Sequence, residues 1–193
     1  MKREALLAAA AEMFNERGFT ATSLDDVAAS LNITKPVIYR YVGNKDQVLL
    51  ECVNRGFDQF EAAAEATWSV KGSGIDRLRH FLHRYAKISS HGFGMCAHRT
   101  GDHELSDESR AEFRARKRGI DREIRRMIEQ GTIDGSIHTP DIRMTTFAIA
   151  GALNWIARWY TPEGPLSADE VATRIVDTLV WGLVPRAVDK GRR

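Results

Sequence analysis

Apolar side chains recur at helical spacing along most of the chain, and no stretch alternates long enough to predict a strand. The first segment carries one such apolar stripe, and Gly18 follows it as a helix-ending residue. Signals for the start of a helix then recur at Ser23, Asn44, Ser106, Thr139 with Pro140, and Ser167. Gly92 and Gly94 interrupt a further helical segment. The pattern predicts an all-α protein of about nine helices.

Residues 30–41, SLNITKPVIYRY, have the spacing of a helix-turn-helix. Asn32 lies at the turn, where the backbone must be left-handed and Asn tolerates this better than most residues. Thr34 can cap the second helix. Pro36 then lies in its first turn, where the missing N–H loses no intrahelical hydrogen bond. The proline therefore begins a helix here and does not break one.

This second helix presents a polar face, because Val37 and Ile38 partly face the core. The residues left towards solvent or a ligand are Lys35, Pro36, Tyr39 and Arg40. Lysine and arginine can contact guanine edges or phosphates, and tyrosine can donate to phosphate. Residues 1–60 carry seven basic and eight acidic side chains, so only this local cluster favours DNA. The alternative is an ordinary three-helix cap with a few solvated lysines.

Residues 5–51 resemble the DNA-binding domain of the tetracycline-repressor (TetR) family. The resemblance lies in the runs FNERGFTATS, DDVAASLNITK, IYRY and NKDQVL. It implies a homodimer on a palindromic operator in double-stranded DNA, with one recognition helix per subunit in successive major grooves. Residues 1–45 would then form the three-helix DNA-binding domain. Residues 46–193 would form a larger helical domain for effector binding and dimerisation.

The resemblance also implies DNA contacts, position by position. Lys35, Pro36 and Val37 would face bases, and the predicted phosphate contacts are Thr22, Tyr39, Tyr41 and Lys45. Thr34 and Arg40 complete the predicted DNA-binding set. The family often has Gly at position 36 and a hydroxyl residue at position 37, so this chain departs from the pattern at both. Val37 can instead make an apolar contact with a thymine methyl group.

The segment 142–160 is apolar nearly all round, so this helix is expected to be buried on more than one side. The following segment, VATRIVDTLVWGLV, carries another apolar stripe. The two helices form either a simple core pair or, as the resemblance implies, half of a four-helix interface between two subunits. Gly151 and Gly182 would let the backbones approach.

Aromatic side chains in segment 142–160 lie beside one amide and one cation, which is typical of a ligand pocket. The predicted effector contacts there are Phe147, Asn154, Trp155, Arg158 and Trp159. The alternative for Arg158 is an ion pair with a nearby surface acid.

Residues 120–172 resemble the C-terminal half of TetR-type regulators of fatty-acid and sterol degradation, which implies an acyl-coenzyme A (acyl-CoA) effector. Residues 110–126 carry eight basic and three acidic side chains, and Arg110, Arg114 and Arg118 share one helix face. Such a run is either a solvated face or a surface that attracts the phosphates of an anionic effector.

Composition narrows the class of protein. The chain has 193 residues, a net charge of +2 and 43% hydrophobic residues, which is typical of a globular protein. Cys52 and Cys96 are far apart and predict reduced thiols. The N-terminal stretch lacks the apolar core and cleavage site of a secretory signal, and no apolar region is long enough to span a membrane. We therefore expect a cytoplasmic protein without a membrane partner.

A metal-dependent enzyme is the least favoured alternative. Five candidate ligands cluster within thirteen residues: His91, Cys96, His98, Asp102 and His103. However, the chain has no HExxH motif, no paired CxxC motif and no nucleophile elbow. We expect neither a metal, a cofactor nor an enzymatic activity. A DNA-binding protein that shapes DNA without any effector is the other alternative.

Overall fold

The computed structural model describes residues 2–182, which contain nine α-helices, one short 3-10 helix and no strand. The α-helices are α1 (Lys2–Arg17), α2 (Leu24–Ser30), α3 (Lys35–Val42), α4 (Lys45–Trp68), α5 (Gly74–Ser89), α6 (Gly92–Arg99), α7 (Asp107–Ile133), α8 (Ile142–Trp159) and α9 (Ala168–Trp181). The 3-10 helix is Asp102–Glu104. The predicted all-α fold is confirmed. No helix in this part of the chain is both long and apolar enough to cross a lipid bilayer.

Local hydrogen bonds define the helix-turn-helix where the sequence predicts it. The Asp26 N–H donates to Ser23 Oγ at 3.1 Å, and the Ser23 N–H donates back to the Asp26 carboxylate at 3.0 Å. This capping box starts α2. Asn32 has a left-handed backbone with φ of 53°, and Pro36 lies in the first turn of α3. The predicted turn between α2 and α3 is therefore confirmed.

Helix α8 does not begin at Thr139 and Pro140, so that prediction is wrong. Asp141 is the N-cap, and its Oδ1 accepts from the Met144 N–H at 3.0 Å. The Thr139 hydroxyl instead lies 2.6 Å from that of Thr145. A carboxylate is favoured at this position because the N-terminus of a helix carries a partial positive charge.

The two glycines predicted to interrupt a helix have different roles. Gly92 has a left-handed backbone with φ of 53°, and α6, which the sequence pattern did not predict, begins at this residue. Gly94 lies inside α6, where a Cβ atom would be 2.2 Å from the carbonyl oxygen of Ile88. Only the first glycine breaks a helix, and the second lets α6 pack against the end of α5.

Helix α4 is the central element, in contact with α1, α5, α6 and α7. Its Phe60 is fully buried, and the ring centroid lies 4.4 Å from that of Tyr85 in α5. Gly56 sets the separation of α4 from α6, because a Cβ atom there would lie 2.4 Å from the carbonyl oxygen of Phe93. The absence of a side chain at position 56 therefore fixes where α6 lies.

Gly56→Ala is expected to lower the free energy of unfolding by about 1–3 kcal/mol, because the added methyl group meets main-chain atoms that cannot rotate away. Gly119→Ala is the control. The nearest atom to its new Cβ would be 3.9 Å away, so this variant should be about 0.5–1 kcal/mol more stable than wild type. Urea denaturation measures both. A Gly56→Ala protein as stable as wild type would show that α4 and α6 do not make this contact.

Candidate functional site

Helix α3 has one buried side and one exposed side. Ile38 is fully buried and Val42 nearly so, which fixes the helix against the rest of the chain. The exposed side chains are Pro36, Tyr39, Arg40 and Tyr41. The eight residues of α3 span about 12 Å at 1.5 Å per residue, which suits a major groove about 12 Å wide.

The other predicted α3 contacts have different environments. Thr34 is the N-cap but makes no side-chain capping bond, so its exposed hydroxyl is available to a ligand. Val37 is half-buried, and Arg40 forms no ion pair with any described residue. The side chain of Lys35 lies outside the described part of the structure. The outer face of α3 therefore offers hydroxyl groups and one unpaired cation.

Two residues predicted to hold phosphates are engaged by their own chain. The Lys45 ammonium donates to the carbonyl oxygen of Thr20 at 3.4 Å and lies 4.3 Å from the centroid of the Phe19 ring. Thr22 is buried, and its hydroxyl lies 2.9 Å from the carbonyl oxygen of Gly18. Thr22 therefore stabilises the turn between α1 and α2, and its hydroxyl is turned away from solvent.

A cavity of about 370 Å³ lies between α4, α5, α6, α7 and α8. Most of its wall is apolar, and its polar groups come from six side chains. The lining residues are Phe57, Tyr85, His98, Lys117, Arg118, Ile120, Asp121, Ile124, Phe147, Ala150, Gly151 and Asn154. Of the predicted effector contacts, the structure brings Phe147, Asn154 and Arg118 together here.

Two polar side chains lie deep in this cavity. The Tyr85 hydroxyl donates to Asn154 Oδ1 at 2.7 Å, and burial raises the pKa of Tyr85 well above its usual range. The His98 ring lies against two aromatic rings, with centroid distances of 4.9 Å to Phe60 and 5.5 Å to Tyr85. Its Nε2 atom is buried and has no hydrogen-bond partner among the described residues.

His98 is held neutral. Burial, together with the positive charges of Lys117 and Arg158, lowers its pKa from 6.5 to about 3. A buried imidazole is costly to protonate because the charged form loses its hydration. The side chain therefore offers one N–H donor and one nitrogen acceptor at neutral pH.

The basic run of α7 divides into paired and unpaired cations. Arg114 Nε lies 2.5 Å from Asp102 Oδ2, and Arg110 donates to the Asp102 carbonyl oxygen at 2.8 Å. Lys117 and Arg118 line the cavity, and neither forms an ion pair with a described residue. Of the three α7 arginines predicted to bind an effector, only Arg118 therefore lies at the cavity.

The remaining predicted effector contacts lie elsewhere. Trp155 and Trp159 are 64% and 46% exposed and do not line the cavity. Arg158 donates to the carbonyl oxygen of Arg99 at 3.1 Å and lines a separate cavity beside α1. The structure therefore separates these three side chains from Phe147 and Asn154.

Comparison with known proteins identifies the family. Residues 6–52 match the family model described as "Bacterial regulatory proteins, tetR family", and residues 71–183 match "Tetracyclin repressor-like, C-terminal domain". The chain belongs to the TetR family. It is therefore a transcription regulator and not an enzyme.

Individual TetR-family relatives match almost end to end. The transcriptional repressor KstR2 of Mycolicibacterium smegmatis is 26% identical over 198 residues, which cover 98% of this chain and 94% of that protein. The structure of PfmR from Thermus thermophilus has a TM-score of 0.84 at 29% identity and covers 93% of this chain and 99% of PfmR. The structure of AibR with isovaleryl coenzyme A and operator DNA has a TM-score of 0.81 at 26% identity, covering 93% of this chain and 98% of AibR.

Sequence reasoning did not assign Tyr85 and His98 to the cavity of this TetR-family chain. It considered His98 only as one of five clustered candidate metal ligands, and the described residues contain no group placed to hold a metal ion. The available signal for Tyr85 was its position on the buried stripe of α5 with Leu78 and Leu82. A hydroxyl group within an apolar stripe indicates a buried polar partner.

Helix α6 connects the cavity to the DNA-binding helices of this TetR-family protein. His98 lines the cavity, and the adjacent Arg99 donates to the carbonyl oxygens of Asn15 in α1 and of Ala157 in α8, the latter at 2.6 Å. The Asn15 side chain donates to the carbonyl oxygen of Gly92 at 2.8 Å. A displacement of α6 would therefore be transmitted to α1.

Wild-type protein is expected to lose about 2 kcal/mol more of its free energy of unfolding than His98→Phe between pH 7 and pH 5. The unfolded chain binds a proton at His98 near pH 6.5, whereas the folded chain does so only near pH 3. The contribution of neutral His98 to the free energy of unfolding is therefore fully present above pH 6.5 and is lost as the pH falls.

Urea denaturation at several pH values measures this difference. His138→Gln removes an exposed histidine and is the control, with the pH dependence of wild type expected. If His98→Phe also kept the wild-type pH dependence, His98 would be solvated in the folded protein.

Proposed function

We propose that the protein is a cytoplasmic, ligand-responsive repressor that binds a palindromic operator as a homodimer and is released by an acyl-CoA thioester. In this proposal residues 1–45 bind DNA, and residues 46–193 bind the effector and form the dimer. The names of relatives support it. KstR2 is described as a transcriptional repressor, and AibR was solved with isovaleryl coenzyme A and operator DNA.

The outer face of α3 is the proposed DNA-binding surface. Lys35, Pro36 and Val37 would face bases, and the proposed backbone contacts are Thr34, Tyr39, Arg40, Tyr41 and Lys45. Pro36, Tyr39, Arg40 and Tyr41 are exposed, as this role requires. Thr22 is not included among the direct contacts, because its hydroxyl is buried against the α1–α2 turn.

Helices α8 and α9 form the proposed dimer interface. Large apolar side chains are exposed on both helices: Met144, Phe147, Trp155, Trp159 and Trp181. An apolar surface of this kind marks an interaction site, and a second copy can cover it by symmetry.

The cavity is the observation that carries the effector proposal. Its apolar walls suit an acyl chain, and Lys117 and Arg118 supply two cations without an ion-pair partner among the described residues. An acyl-CoA ester joins an apolar chain to several phosphate charges, which matches a cavity with apolar walls and two cations. The effector needs only to bind more tightly to the arrangement of α6 that is incompatible with DNA.

Arg40→Ala is expected to weaken binding to all DNA sequences alike and to reduce the slope of log affinity against log salt by about 1, because one phosphate contact is lost. Tyr39→Phe should weaken binding about fivefold with little change in slope, because it removes one hydrogen bond. Fluorescence anisotropy with an operator selected from random DNA measures both.

Lys71→Ala is the matched control for these variants. It removes an exposed cation beyond the far end of α4 and should leave affinity and slope unchanged. If Arg40→Ala bound DNA with the affinity of the wild type, this result would argue against contact between α3 and DNA. Sedimentation of the wild type on its operator gives the number of chains bound, for which we expect two per palindrome.

Acetyl-, isovaleryl- or octanoyl-CoA is expected to release the wild type from its operator. The double variant Lys117→Ala/Arg118→Ala should need at least about tenfold more ester for release from the operator, because it loses charge-assisted contacts with phosphate. Anisotropy titrations measure release, with Lys71→Ala as the control for a general loss of charge. If none of the esters released DNA or stabilised the protein against heat, the effector class would be wrong and an effector-independent architectural role would be favoured.

A further inference from the structure

The buried side of the effector cavity contains an unused hydrogen-bonding group. His98 Nε2 is buried without a partner among the described residues, while its ring lines the cavity. Buried polar atoms in folded proteins nearly always have a partner, so each exception calls for a physical explanation. Nε2 has no surface open to the cavity in this arrangement, so a ligand oxygen can supply the missing partner when a shift of α6 turns the His98 ring towards it.

A second donor lies in the same cavity. Asn154 Oδ1 accepts from the Tyr85 hydroxyl at 2.7 Å, which assigns the other end of the amide as an NH₂ group. No described residue accepts a hydrogen bond from that NH₂ group. With the His98 proton on Nε2 and the ring turned towards the ligand, the cavity offers two neutral N–H donors, and an oxygen acceptor on the ligand would satisfy them.

The neutral state of His98 favours a neutral oxygen as its hydrogen-bond partner. Burial, together with the positive charges of Lys117 and Arg158, holds the pKa of the imidazole far below neutrality. The ring is therefore neutral when the ligand binds, so it cannot form an ion pair with a carboxylate.

We propose that His98 and Asn154 bind the thioester carbonyl oxygen of the effector, so that the cavity selects an acyl thioester over an apolar chain of the same length. This inference rests on the proposed function, because it deepens the choice of ligand for the same cavity. Lys117 and Arg118 then bind the phosphates, and the two His98 and Asn154 donors bind the acyl oxygen. Charge gives affinity for coenzyme A, and the donors give selectivity for the ester.

Calorimetric titration with two matched ligands tests this proposal. One is isovaleryl-CoA, and the other is its thioether analogue, in which a methylene group replaces the thioester carbonyl. Wild type is expected to bind the ester about tenfold more tightly, since the thioether leaves both donors unsatisfied. His98→Phe should show a smaller preference for the ester, because only the Asn154 donor remains, and His98→Gln, which retains an N–H donor, should recover part of the lost preference.

The Lys117→Ala/Arg118→Ala variant is the matched control. It should lower the affinity for both ligands by the same factor and keep the preference for the ester. An unchanged preference in His98→Phe would overturn the role of His98 while leaving the proposed effector class intact. If wild type bound neither of these two ligands, and bound neither acetyl-CoA nor octanoyl-CoA, the proposed effector class would be overturned and this inference with it.

A measurement on the wild type covers the case in which the variants do not fold. In protein labelled with ¹⁵N-histidine, the His98 signals should show a neutral ring with the proton on Nε2. The ester should shift the Nε2 resonance and the thioether should not. Equal shifts with both ligands, or a proton on Nδ1 in the ester complex, would contradict a hydrogen bond from His98 to the carbonyl.

Discussion

The close contact between α4 and α6 at Gly56 is the constraint on which both candidate sites depend. Because position 56 has no side chain, the Phe93 carbonyl can approach the α4 backbone and α6 can lie between α1, α4 and α8. This places His98 in the wall of the cavity and Arg99 on α1 and α8. Two consecutive residues of one short helix thus connect a ligand-sized space with the DNA-binding helices. Any ligand that displaces α6 must also change the support of α1.

Polar groups that already have a hydrogen-bond or ion-pair partner within the chain are not available to a ligand, and the remaining polar groups are. Helix α7 is rich in arginine, but Arg114 and Arg116 are paired with acids of neighbouring segments. Lys117 and Arg118 have no such pairs within the described chain, and His98 lacks even a hydrogen bond at Nε2. A cavity that only filled space would be expected to hold an apolar side chain at position 98, because a buried polar atom without a partner is destabilising. The unsatisfied imidazole nitrogen therefore carries more information about function than the total charge of the helix does.

Much of the fold could be predicted from the sequence because its signals are local. The capping box at Ser23 and the left-handed turn at Asn32 depend on residues within a few positions of each other. The same is true of the capping boxes at Asn44 and Ser167, which begin α4 and α9. At Thr139 and Pro140 the local signal gave a wrong prediction, because Asp141 caps the helix instead. The carboxylate took the cap because it is the better partner for the positive end of the helix.

The sequence by itself therefore determined the helical fold, the helix-turn-helix and the resemblance to the TetR family, whereas the tertiary structure decided the composition of the cavity. Trp155 and Asn154 are neighbours in the chain, yet only Asn154 lines the cavity, and its hydrogen-bond partner Tyr85 comes from another helix. Helical periodicity shows which residues share a face, but not which face another helix will cover. That outcome depends on how helices distant in sequence pack around α4. This packing separates Trp155 from the cavity and places His98 in the cavity wall.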